Sequence, residues 1–465
     1  MKPRILPLLC VLLLLAGCAP ETSPAATATA APATATPTPT TRTPTATAAG
    51  TSEPVETIDL VPEDIAGVTV ELWHVWDGDR ESLLETLVSE FNAGNEYGVE
   101  VTAVRQTDLH GAVARALAEG DPPDLAFGFS YHVRSWSRIE PPVDWTPYLL
   151  DPEWGWEPAE VDDFYPEFFA AANVDGRQTG LPLYRTAEIL IYNRTWAGEL
   201  GFLAPPVTPD ELAEQACAAN ASRRDDADPG NDGEGGVMLG YEPGALAAWL
   251  AAFGGGPAPL QDGEAYAFDR PENIAAFEHL RGMLDGLCAW LPEGVYPHDE
   301  FAARRGLFLP STLAGLAAQA EAMEAAGSAD AWSVIPYPAA APGASGFFYG
   351  PDLVLLPTGS PRQLAAWVFA GWLLAPENMA RWSEAGGYFP ARTSALGLMI
   401  DPPLALEAWI PAAAMFTPPA SWVDVQWAVG EMTRMLFSPF TPASDIPVLA
   451  GELDAFAEEL HQPYR

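Results

Sequence analysis

Between Val68 and Phe129 the apolar residues change their spacing four times, and that rhythm restricts the fold more than any other stretch. Val68, Val70, Leu72 and His74 alternate with Thr69, Glu71, Trp73 and Val75, the period of two that a strand requires. Trp76-Asp77-Gly78-Asp79 then reads as a turn and a helix N-cap. In "RESLLETLVSEFNAGN" Leu83, Leu84, Leu87, Val88 and Phe91 fall at helical spacing, closed by Asn92 and Gly94. Val99, Val101 and Ala103 predict a second strand, Ala112 to Ala118 a second helix, and Leu125 to Phe129 a third strand. An alternating strand-helix run of this kind gives parallel strands, and the loops at their C-terminal ends face a ligand crevice. Those loops carry Trp76, Asp77, Ser130 and Tyr131.

The front of the chain is of a different kind. Lys2 and Arg4 precede an apolar run that ends in Leu15-Ala16-Gly17-Cys18, the layout of a secretory signal over residues 1–17. The run is shorter than the ~20 apolar residues that a membrane span needs. Leu-Ala-Gly-Cys resembles the bacterial lipobox, which implies that Cys18 becomes the lipidated first residue of the mature chain. The plainer alternative is an ordinary signal peptide with an incidental cysteine. Residues 18–57 are nearly all Ala, Thr, Pro and Ser, with almost nothing to bury, and are expected to form a disordered tether. At ~3.1 Å per residue in extended form, such a tether reaches up to ~100 Å. The expected location is the cell surface or periplasm, with the membrane touched through the lipid alone. O-glycosylation of the tether is left open.

Some four hundred residues follow, enough for two domains or for one with two lobes. The formal net charge is −41, and loss of Lys2 and Arg4 with the signal makes the mature chain more acidic still. Such a field disfavours nucleic acid and anionic membrane surfaces, and otherwise speaks for solubility. Lys2 is the only lysine, so the mature chain lacks a Schiff-base lysine and a P-loop lysine. Once Cys10 leaves with the signal and Cys18 is acylated, Cys217 and Cys288 remain in an oxidising compartment and are expected to pair. Cys217 falls on the helix after Thr208-Pro209 and Cys288 at the end of a helix starting near Pro271. Two free buried thiols are the alternative.

No catalytic arrangement emerges. The histidines at 74, 110, 132, 279, 298 and 461 show no metal-ligand spacing. Gly128-Phe129-Ser130-Tyr131-His132 begins like a nucleophile elbow, but His132 stands where the second glycine belongs. "DDADPGNDGEGG" over 225–236 suggests a calcium loop until it is counted from Asp228. Gly230 and Leu239 then occupy ligand positions, and the stretch reads as a polar surface loop.

An ordered series of motifs carries a resemblance. "VELWHVWDGDRESLLETLVSEFNA" and "ALAEGDPPDLAFGF" are followed by "LPLYRTAEILIYNRTWAGELGF" and "PPVTPDELAEQACAA". Next come "AAWLAAFGGG", "YAFDRPENIAAFEHLRGMLDGLCAW" and "DEFAARRGLFLPST", and last "FFYGPDLVLLPTGSPRQLAAWVFAGWLLAPENMARWSEAGGYFPAR". Together these resemble the extracellular solute-binding proteins of family 1, the sugar-capturing, maltose-binding-type components of ABC importers. The likeness runs from about residue 68 to 440. It departs at Leu309-Pro310-Ser311-Thr312, where relatives often have a Gly-Ser-Ser-type loop, and at the crossover Phe348-Tyr349-Gly350-Pro351.

The resemblance implies an α/β, two-lobed periplasmic-binding-protein fold of type II, with crossover strands joining the lobes and a ligand cleft between them. Lobe one would comprise 58–178 and 346–395, and lobe two 179–345 and 396–465. Trp76, Tyr131, Tyr184, Trp249, Tyr349 and Trp427 fall where relatives contact ligand, as do Asp77, Arg80, Ser130, Arg185, Glu242, Ser311 and Thr312. Trp76 and Trp249 are expected to oppose each other across a sugar ring, because aromatic faces stack on its C–H groups. Trp290, Trp367, Trp372 and Trp382 sit in helical patterns and are expected in the core. The function implied is carbohydrate capture and delivery to an ABC permease by a monomer, with no cofactor, no metal and no catalysis. Another small solute (a polyol phosphate, peptide or polyamine) and a tethered carbohydrate-active enzyme are the alternatives.

Overall fold

A computed structural model describes residues 57–257, 266–294, 297–340, 346–400 and 402–465. The expected signal segment 1–17, Cys18 and the tether as far as residue 56 lie outside the described residues. Among the described residues no helix is long and apolar enough to cross a membrane.

The opening rhythm folds as the period predicts. Thr69–His74, Glu100–Arg105 and Leu125–Gly128 are parallel strands with Thr69–His74 in the middle. Helices Gly78–Gly94 and Leu109–Glu119 connect them. Leu84, Leu87, Val88 and Phe91 form the buried face of the first helix. Asn92 does not end that helix, which runs on to Gly94. Its amide bonds both the N–H and the carbonyl of Val101, clamping the helix to the second strand. Asp108 caps the second helix by accepting from the Gly111 N–H.

Two further strands complete this first sheet: Asp352–Leu355, antiparallel to Leu125–Gly128, and Leu181–Pro182 beyond it. A second sheet is built on Tyr184–Asn193, a ten-residue strand buried along its whole length. It pairs with Gly346–Tyr349 and Phe308–Thr312, and with Trp332–Ile335 and Phe389–Pro390. Ala413–Met415 lies outside Gly346–Tyr349, while Val237–Met238 and Ala289–Trp290 extend the other side. One apolar core packs on the first sheet and continues onto one face of the second through Ala187, Ile189, Ile191 and Phe348, and a second core packs on the other face through Leu190, Tyr192 and Phe308. Trp367 and Trp382 are buried in the first core and Trp372 half-buried against it, whereas Trp290 stands half-buried on a strand and not on a helix.

The chain passes between the sheets twice within a few residues. Leu181–Pro182 of the first sheet runs through Leu183 into the long strand of the second, and Gly346–Tyr349 of the second runs through Gly350 and Pro351 into Asp352–Leu355 of the first. These adjacent crossings bring Arg185 and Asp352 together.

A strand buried on both faces reads as a continuous apolar run, so a polar side chain in it calls for a partner. Arg185, Glu188 and Asn193 have one, whereas the buried Thr186 hydroxyl does not. Arg185 pairs with Asp352 at 2.7 Å. Asn193 caps helix Arg194–Glu199 through the Trp196 N–H and donates to Asp330. Glu188 belongs to the cavity considered next.

The helix Pro209–Arg224 opens on a reciprocal capping box between Thr208 and Glu211, with Pro209 in its first turn. It presents Cys217 to Cys288, and the two are joined in a disulfide with Cα atoms 4.2 Å apart. In the 225–236 loop the Asp226 and Asp228 carboxylates accept from N–H groups of the loop itself.

Candidate functional site

A cavity opens where the loop after Leu125–Gly128 meets the second sheet. Glu188 sits on its floor, in the middle of the long strand opposite Thr312 on one side and Phe347 on the other. It is 6% exposed, and its Oε1 accepts a 2.9 Å hydrogen bond from the Tyr349 hydroxyl. Burial pushes its carboxyl up to about 7, with the Tyr349 bond pulling down and the charge of Glu242 pushing up.

Glu242 precedes helix Pro243–Ala252 and lines the same cavity. The helix begins so close to the strand that a Cβ on Gly244 would stand 2.4 Å from Glu188 Oε1. Glycine here lets the first turn of the helix cover the carboxylate as it stands, and a larger residue would displace the Glu188 side chain.

The walls are aromatic. Phe129 and Tyr131 stack with ring centres 5.3 Å apart and planes 9° from parallel. Phe416 meets Trp422 edge-on at 5.0 Å and Phe347 at 5.3 Å, and Phe347 lies 6.2 Å from Tyr349. Trp422 and Gln426 stand one helical turn apart on Trp422–Leu436 and so share a face. Ser311, Thr312 and Gln426 contribute neutral polar groups. Among the described lining residues the charged ones are Glu188 and Glu242, and none is basic.

The residues expected from the sequence divide into separate groups. Tyr131, Glu242, Ser311, Thr312 and Tyr349 line the cavity. Ser130 and Arg185 lie in a small recess with Asp352, beside Tyr349. Trp76, Arg80 and Tyr184 gather elsewhere. Tyr184 stacks on Tyr388 at 3.9 Å, Arg80 donates to the Tyr388 hydroxyl at 2.9 Å, and Trp76 packs edge-on against Phe127 and Trp382. Asp77 is exposed and pairs with Arg105.

The two tryptophans expected to oppose each other belong to different cores. Trp249 is 2% exposed and packed at right angles on Tyr337, and it lines a small recess behind Leu239, Gly240 and Ala245, not the cavity itself. Its helix is apolar on every side, so nothing in the sequence tells the inward face from the cleft face. Trp427 is 63% exposed on the outside of its helix, about 100° round from Gln426. Phe129, Glu188, Phe347, Phe416, Trp422 and Gln426 were not anticipated. A lone glutamate inside "AEILIYN" was the readable signal, because a buried charge needs a purpose.

The nucleophile-like stretch has the strand-turn-helix context that an elbow requires, with Ser130 opening helix Ser130–Trp136. Packing explains its glycine: a Cβ on Gly128 would lie 2.6 Å from the Trp136 ring. Ser130 has no histidine partner among its hydrogen bonds, and His132 is half-buried with its Nδ1 covered and unpartnered.

Residues 86–408 match the family described as bacterial extracellular solute-binding protein. A search of curated proteins found no sequence match. Among solved structures the chain is similar to the cyclic alpha-maltosyl-1,6-maltose binding protein of Arthrobacter globiformis. That match has 19% identity and a TM-score of 0.66 over 84% of this chain and 99% of that one. The sugar-binding protein MalE of Xanthomonas citri gives 19% identity and a TM-score of 0.66, over 84% and 97%. UgpB of Mycobacterium tuberculosis, solved with glycerophosphocholine, gives 16% identity and a TM-score of 0.65, over 85% and 99%. The shared fold is the α/β, two-lobed binding-protein architecture.

Proposed function

The chain belongs to the bacterial extracellular solute-binding proteins, and we propose that within this family it is the carbohydrate receptor of an ABC importer. The observation that carries the reading is the cavity itself. Stacked aromatic rings stand beside carboxylate, hydroxyl and amide groups at the seam of two sheets joined by two short crossings. Sugars present apolar C–H faces and hydroxyl edges, and this pairing of surfaces suits both. Neighbours of the same fold, among them the cyclic alpha-maltosyl-1,6-maltose binding protein and the sugar-binding protein MalE, support the same class of ligand.

In this account the lobes, 58–178 with 346–395 and 179–345 with 396–465, close about the crossings on the ligand. Closure follows from a ligand that binds the closed form more tightly than the open one. Cys18 is the acylated anchor and residues 18–57 the tether, so the monomeric receptor stands outside the membrane and hands its ligand to the permease. The chain binds its sugar and does not transform it.

A thermal-shift screen of the full chain against mono- and oligosaccharides tests this reading. A sugar present at about 100 times its dissociation constant adds ~2.7 kcal/mol of stability, a shift of several degrees. Turnover of the bound sugar would replace the receptor with the tethered enzyme.

A further inference from the structure

We propose that the cleft selects solutes bearing an organic ammonium group, held by the carboxylates of Glu188 and Glu242 against the faces of Phe129, Tyr131, Phe416 and Trp422. This deepens the receptor reading and rests on the cavity being the solute site.

The lining is the first reason. A chain with 63 acidic and 22 basic residues will place acids on most surfaces. Chance does not account for a carboxylate that is 6% exposed in the centre of a strand, covered by the first turn of a helix that approaches it through Gly244. Burying a charge without a counter-ion is costly, and the lining supplies no counter-ion. A cationic ligand supplies one. A phosphate or carboxylate ligand would meet two acids and no base.

The aromatic walls are the second reason. Ring faces attract cations through their quadrupole, and ammonium groups settle among several such faces beside a carboxylate. The neutral polar side chains of the lining are Ser311, Thr312 and Gln426 beside the tyrosine hydroxyls, so the two carboxylates and the ring faces add a cation-binding element to the groups that suit a sugar.

Tyr337 is a third, separate observation. Its hydroxyl is buried and has no hydrogen-bond partner, and it lies in the field of both Glu188 and Glu242. Tyr337 lies behind the lining and brings a further hydroxyl, not a cation, near the two acids. The titratable groups facing Glu188 are Tyr349, Glu242 and Tyr337. In the empty site burial holds Glu188 partly protonated at neutral pH. Binding an ammonium group ionises it and releases the proton to solvent.

An amino sugar and a polar molecule with a choline-like head both carry this chemistry and represent its primary and quaternary forms. Calorimetric titration of the full chain at pH 7 with matched pairs separates them. One pair is glucosamine and its β-1,4 disaccharide against glucose and cellobiose. The other is choline against its uncharged carbon isostere, 3,3-dimethyl-1-butanol. The expected result is that one charged probe binds roughly ten- to a hundredfold more tightly than its neutral partner. Glu188→Gln and Glu242→Gln should each remove most of that preference, and proton release should disappear in Glu188→Gln.

A neutral sugar that binds as tightly as its amine, or a preference that survives both substitutions, overturns the inference and leaves the carbohydrate receptor standing. Choline binding without binding of any sugar supports the inference and overturns the carbohydrate reading. Binding of none of these probes overturns the inference.

Discussion

Arg185 Nη2 stands 2.7 Å from Asp352 Oδ1, joining the two segments that cross between the sheets, and neither side chain is more than 4% exposed. Arg185 also donates to the carbonyls of Tyr184 and Phe168. The guanidinium thus ties both crossings to the short helix Pro166–Ala171 at the place about which the lobes would turn. Burial raises the Asp352 carboxyl above its usual range even with the cation beside it, as expected of a pair withdrawn from water.

Removing one partner strands the other charge. Asp352→Asn should therefore cost about 3–5 kcal/mol in a denaturant titration, and Arg185→Met a similar amount. The double variant Arg185→Met, Asp352→Leu should recover much of the loss. Single variants within ~1 kcal/mol of wild type would show that the pair is not what holds the crossings.

Trp249 belongs to the second core, against Tyr337. Trp249→Ala should lower stability by about 3–5 kcal/mol through the cavity it leaves. Sugar affinity, measured where the variant is still folded, should stay near wild type. A large loss of affinity with an unchanged melting temperature would return Trp249 to the site.

The Cys217–Cys288 bridge spans 71 residues of sequence and ties the Pro209–Arg224 helix to the strand Ala289–Trp290. Its reduction, or the double Ser variant, should cost ~2–4 kcal/mol. Two thiols titrating with a thiol reagent in the unreduced, unfolded protein would contradict the bond.

The opening of the fold was legible because its periods are unmixed: Leu84, Leu87, Val88 and Phe91 could face only one way. The site was legible in part. Tyr131, Glu242 and Tyr349 stand in loops or at segment ends, where position in the chain implies position in space. Trp249 and Trp427 were not legible. One lies on a helix that is apolar all round, and for the other a single residue's rotation decides between cavity and solvent. Phe416 and Trp422 reach the cavity through a return of the chain that no local pattern encodes.

Glu188 makes stability depend on pH in a direction that can be stated. Its folded value, pushed up to about 7, lies above the ordinary glutamate value. Between roughly pH 4.5 and 7 the folded form therefore binds more protons than the unfolded one, and this group's contribution falls as pH rises, levelling off above 7. Glu188→Gln should match wild type near pH 4.5 and exceed it at pH 8 by about 1–3 kcal/mol. Urea titrations at the two pH values decide it, and wild type and variant changing in parallel would refute the assignment.

The central claim is that the aromatic cavity at the seam of the two sheets is where a carbohydrate binds. The most direct measurement is calorimetric titration of the sugar giving the largest thermal shift into wild type, Phe129→Ala and Phe416→Ala. Both phenylalanines are partly exposed cavity walls, so the variants should fold. Wild type should bind saturably and one-to-one, and each variant should bind more weakly by about 1–3 kcal/mol, roughly five- to 150-fold. Saturable sugar binding that is unchanged in both variants, or no binding by any sugar on the panel, would contradict it.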